Sequence, residues 1–132
     1  MVALHDDVAR RRWATDIVVM AELSKRVKRL MRECAAAAHE AELRRALLPL
    51  AEAFKQWERG DLDSFALSEL IHKFHQGPAR EIWVRYTTNQ LLPSALAHAI
   101  ATGALDRADV PAEVLDHVVG LIEFYERQEE ES

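Results

Sequence analysis

Apolar residues in this chain recur at alternating intervals of three and four, the period of a helix lying along a neighbour. Met20, Leu23, Val27, Leu30 and Cys34 form one such seam, and Leu43, Leu47, Leu50, Phe54 and Trp57 form a second. The first predicts a helix that begins near Asp6 or near Thr15-Asp16, both suitable N-caps, and runs to about Ala38. The second predicts a helix from about Glu40 to Arg59, with Gly60 as its C-cap. Pro49 removes one backbone hydrogen bond inside it, but the apolar pattern continues across, so the expectation is a kink and not an end. Joined by a short connection around His39, the two seams predict an antiparallel helical hairpin.

Punctuation by Gly and Pro sets out the rest. Helices are expected over about Phe65–His75, Pro78–Thr88 and Pro93–Thr102, with Gly77 and Gly103 at helix ends and Pro78 and Pro93 in first turns. A last helix starts near Asp109-Val110-Pro111 and carries the stripe Val114, Leu115, Val118, Leu121, Ile122 and Tyr125. Residues 1–5 and 127–132 are expected to fray, since the acidic run Glu129–Glu131 is unfavourable at a helix C-terminus. The fold class read from this pattern is all-α, a single domain over 1–132. It is a bundle of five to six helices built on an antiparallel pair of long amphipathic helices.

Composition supports that class. Four Gly and four Pro in 132 residues leave few tight turns, and helix-forming Ala, Leu, Glu and Arg dominate. The net charge is −5, but residues 1–45 carry +3 and the remainder −8. The expectation is a basic first helix lying near the acidic last one. An acidic chain lacks the broad positive field that drives phosphate binding, so a nucleic-acid partner is not expected. The single cysteine, Cys34, allows no internal disulfide and fits a cytoplasmic location. No run of about 18 apolar residues predicts a membrane span, and Met1–Asp7 lacks the basic start and apolar core of a signal peptide. The first seam and the added cluster Ile17, Val18 and Val19 offer more apolar surface than one partner helix needs, which predicts a homodimer.

Side chains with usable chemistry gather at Glu69–His75 and just beyond. One reading treats the Gly77-Pro78 break as a binding notch lined by His75, Arg80, Trp83, Arg85 and Tyr86. Trp, Tyr and Arg are the residue types enriched where partners bind, and two arginines near aromatics can grip an anion. This predicts a non-enzymatic interaction or regulatory module for a protein or small anionic partner, without a cofactor. The alternative is a transition-metal site, zinc or iron. Glu69 and His72 stand at the spacing by which one helix offers a carboxylate and an imidazole to one ion, with His75 and His117 as further ligands. Asp61-x-Asp63 begins like a calcium loop, but Ala66 and His72 stand where that loop needs glycine and glutamate. Arg32 and His39, with six residues between them near a predicted helix end, resemble the Arg-x4-6-His pattern of the HEPN family of small helical ribonucleases. That resemblance implies RNA cleavage with His39 in the active site. Gly-x-Ser-x-Gly, P-loop and Gly-x-Gly-x-x-Gly motifs do not occur.

Overall fold

The computed structural model describes residues 20–88 and 91–131. The regular elements are α1 Lys25–Glu58, α2 Ser64–Gln76, α3 Pro78–Thr87, α4 Leu92–Ala101 and α5 Ala112–Glu131. A 3-10 turn at Arg107–Asp109 leads into α5. No strand occurs among the described residues, and no helix there is long and apolar enough to cross a membrane. The fold is all-α.

The hairpin expected around His39 is not formed. The two predicted helices run on as α1, one helix of 34 residues and about 51 Å. No Gly, Pro or Asn stands between Lys25 and Leu48, and Ala35–Ala38 are the strongest helix formers, so nothing halts propagation. The Glu40–Arg44 ion pair, one turn apart at 3.4 Å, bridges the supposed junction. The break falls earlier, at Leu23-Ser24. Here the Ser24 hydroxyl accepts a hydrogen bond from the Val27 N–H and starts α1 afresh. The two earlier N-caps lie outside the described residues, as do Ile17, Val18 and Val19, on which the dimer expectation rests, and residues 1–5.

Other boundaries follow their local signals. Helix α1 continues across Pro49 and closes at Gly60, whose φ of +84° suits glycine. The N–H groups of Gly60 and Asp61 there donate to the carbonyls of Trp57 and Gln56, a Schellman closure. The Asp63 carboxylate caps α2 by accepting from the Ala66 N–H at 2.7 Å. The Trp57 indole donates to Ser64 Oγ at 2.9 Å and ties the intervening turn. Helix α5 runs through Glu131, so most of the tail predicted to fray is helical.

The core lies at one end of the molecule. It joins Val27, Met31, Cys34, Ala35 and Ala38 of α1, Ile82 and Tyr86 of α3, and Val114, Val118 and Ile122 of α5 around α4. Seven of the ten α4 residues are buried, which an almost wholly apolar helix requires. The first seam is therefore covered within the chain, Met20 and Leu23 included. The second is not. Beyond Ala38, α1 buries Ala53 alone, and α2, which packs there, buries Leu67 alone. Leu47, Phe54 and Trp57 keep about two-fifths of their surface exposed, because the first half of α1 does not fold back over them. The basic start of α1 meets the acidic α5 through Arg26, whose guanidinium donates to both Glu113 oxygens at 3.1 and 3.2 Å. Both side chains are largely in water, so this pair orients more than it stabilises.

Candidate functional site

The geometry of the site starts at Gly77. Its φ of −104° and ψ of −99° end α2 and begin α3, and Gly77 is the single residue between them. A Cβ here would stand 3.0 Å from the Lys73 carbonyl oxygen, so glycine suits the position. Pro78 takes the first turn of α3, where its missing N–H has no intrahelical partner to lose. The sharp reversal sets the end of α2 beside the start of α3, and both against the middle of α1. Between them lies an open groove of about 740 Å³ lined by His39 and Leu43 of α1, His75 and Gln76 of α2, and Ala79, Arg80, Trp83 and Val84 of α3.

Three of the five residues predicted for the notch, His75, Arg80 and Trp83, line this groove. Trp83 is 61% exposed and Val84 44%, an unusual surface setting for a large aromatic beside a branched aliphatic. Arg80 has no ion-pair partner among the described residues. The other two, Arg85 and Tyr86, lie on the opposite side of α3. A helix advances about 100° per residue, so 80, 83 and 84 share one face while 82, 85 and 86 share the other.

That inner face anchors α3 through a buried polar cluster. Arg85 Nη1 donates to Glu42 Oε1 at 2.9 Å, and the Glu42 side chain is 11% exposed. The Tyr86 ring stacks on His39 with centroids 5.2 Å apart. His98 of α4 brings Nδ1 to 3.9 Å from Glu42 Oε1 and sets its ring edge-on to Tyr125 of α5. Burial, and then the Glu42 carboxylate, push the Tyr86 phenol well above its ordinary range, so it stays protonated. Glu42 Oε2, Tyr86 OH, His98 Nδ1 and Ser94 Oγ are buried without a protein hydrogen-bond partner among the described residues.

Burial also lowers the His98 pKa, and the Arg85 charge lowers it further, while Glu42 and Glu129 pull the other way. A lowered folded-state pKa means that the unfolded chain binds the proton more readily. Stability is then full above the ordinary histidine value of about 6.5 and falls as pH drops through the window below it. Urea unfolding at pH 7.5 and pH 5 should show this loss, and His98→Gln should shrink the difference between the two. An unchanged difference would remove His98 as its source.

The metal-site residues are not brought together. Glu69 faces Lys73 at 3.9 Å, His72 is exposed, His75 lines the groove and His117 stands exposed on α5. Among the described residues, no three His, Cys, Asp or Glu side chains are placed to hold one ion. Arg32 and His39 line a smaller pocket of about 250 Å³ with Ala35, Ala36, Tyr86 and Leu92. Burial holds the Cys34 thiol above its ordinary pKa, so it packs as an apolar side chain.

Glu42, His98 and Leu43 belong to none of the sites expected from the sequence, and His39 belongs only to the ribonucleolytic one. A signal for Glu42 is present: it stands four residues after Ala38 and seven after Ala35, on the buried stripe of α1, once α1 is read as continuous. His98 is the one ionisable side chain in α4. Leu43 and His39 are one turn apart on the continuous α1, whereas the hairpin expectation sets His39 in the connection and Leu43 in the second helix.

Comparison with family models, with curated proteins and with solved structures gives no match, so function is argued from the site alone.

Proposed function

We propose that this chain is a non-enzymatic interaction module that docks a protein partner in the groove beside the Gly77-Pro78 break. The observation that carries the reading is Trp83, mostly exposed on an apolar groove wall beside Val84 and Arg80, the latter without an ion-pair partner among the described residues. Exposed aromatic and arginine side chains around a concave apolar surface are the features of a partner hot spot. The inner face of α3 holds that wall in place through Glu42 and Arg85, so the groove is pre-formed and little ordering is needed on binding.

The test is photo-crosslinking in the native host, with benzoyl-phenylalanine in place of Trp83 in one variant and in place of Glu126 on α5 in a control. A discrete adduct from position 83 that the control lacks is expected. No adduct beyond the control would end the docking reading.

A second, ribonucleolytic reading draws on the pocket shared by Arg32 and His39. It requires RNA cleavage by the purified chain that is lost in His39→Ala.

A further inference from the structure

Resting on the docking reading above, we infer that the groove receives an amphipathic α-helix of another protein, with carboxylates flanking its apolar face.

Shape argues for a helix. The groove floor does not end at Leu43. Leu47, one turn further along α1, and Ile71, one turn before His75 on α2, are each about two-fifths exposed. Phe54, two turns beyond Leu47, extends the same stripe and is also partly exposed. From His39 to Phe54 the stripe spans about 22 Å, the length of four helical turns. It is the seam that the sequence marks for helix packing, and α2 covers it only in part, leaving Leu47, Phe54 and Trp57 about two-fifths exposed. A partner lying in an apolar groove must satisfy its own backbone N–H and C=O groups. The described elements offer no strand edge to complete an extended peptide. A helix satisfies its backbone internally and presents anchors at i, i+3, i+4 and i+7.

Charge argues for carboxylates on the partner. His39, His75 and Arg80 line the groove, and no Asp or Glu does. Glu40, a near acidic neighbour on α1, is paired with Arg44. The same fact argues against a second copy of this chain. A two-fold contact sets a patch against itself and would bring Arg80 toward its own copy with no carboxylate of the groove lining to meet it.

The probe is a displayed library of 16-residue peptides, randomised without imposed structure and selected on the wild-type chain. Selected peptides are then assayed by fluorescence anisotropy against wild type, Trp83→Ala and Arg80→Glu, each confirmed folded by circular dichroism. The expected outcome is enrichment of peptides with apolar residues at i, i+3 or i+4 and i+7 and an excess of Asp and Glu. Their affinity should fall at least tenfold in both variants. Enrichment of basic or Pro-rich peptides, or of none, overturns the helix inference. If selected peptides of those kinds still lose affinity in Trp83→Ala, the docking reading stands without it. Selected peptides that bind Trp83→Ala unchanged overturn the docking reading itself. Sedimentation of the wild type alone is the remaining arm. A dimer dissolved by Leu47→Asp would make a second copy the occupant and overturn the inference, whereas a monomer supports it.

Discussion

Replacing Arg85 with alanine is expected to destabilise the fold by about 3 kcal/mol, the lower end of the range for breaking a buried ion pair. The lower end applies because Arg85 keeps about a third of its side-chain surface in water, while Glu42 keeps little. The damage comes from what remains. Among the described residues, Glu42 Oε1 loses its one close donor, Oε2 has none, and the other cation-forming group nearby is His98 at 3.9 Å. That imidazole resists charging because it is itself buried. Two variants separate the cost of orphaning a charge from the worth of the pair. Glu42→Gln removes the charge, keeps the shape and should cost about 1–2 kcal/mol. The double variant Glu42→Gln/Arg85→Met should then be more stable than Arg85→Ala alone, since no unpaired charge is left. Urea midpoints measure all three. A double variant no better than Arg85→Ala would show that the guanidinium acts through packing and not through Glu42.

Glu40→Pro is the second large effect, expected at about 3 kcal/mol or more. Position 40 lies inside α1, where proline deletes a backbone hydrogen bond and its ring meets the carbonyl of Ala36. Glu40 is exposed and its partner Arg44 is too, so little of the loss comes from the side chain. In the hairpin that the seams suggest, residue 40 would open a helix, where proline is welcome and the effect would be near zero or stabilising. The sign of one urea midpoint therefore separates the two arrangements.

That contrast shows what the sequence could reveal and what it could not. Helices α2, α3 and α4 were legible to within a residue or two, because Asp63, Gly77-Pro78, Pro93 and Gly103 are local stop and start signals. The error at His39 arose from a tertiary assumption. Two apolar seams of similar period imply two surfaces to be covered, and the economical solution is to pack them on each other. The chain instead covers the first with α4 and α5 and leaves the second half-covered by α2. Seam periodicity states that a face is apolar and is silent on what covers it. The same error split the site. His75, Arg80 and Trp83 were legible as a cluster around the break, but His39 and Leu43 reach it only from a continuous α1. Arg85 and Tyr86 were grouped with Trp83 by closeness in sequence, although the helical rotation sends them to the core side. A carboxylate on a buried stripe, as at Glu42, is a signal of a tertiary partner that only the folded chain can name.

The central claim is that α3 divides its labour, with Arg85, Tyr86 and Ile82 holding the fold and Trp83 with Arg80 facing a partner. The most direct measurement takes Trp83→Ala and records its urea midpoint together with its affinity for the peptide or crosslinked partner that the wild type binds. The account predicts a midpoint near that of the wild type, since an exposed side chain contributes little to folding, and an affinity at least tenfold weaker. A variant that unfolds early while the folded fraction binds normally would contradict it and return Trp83 to the role of a structural residue.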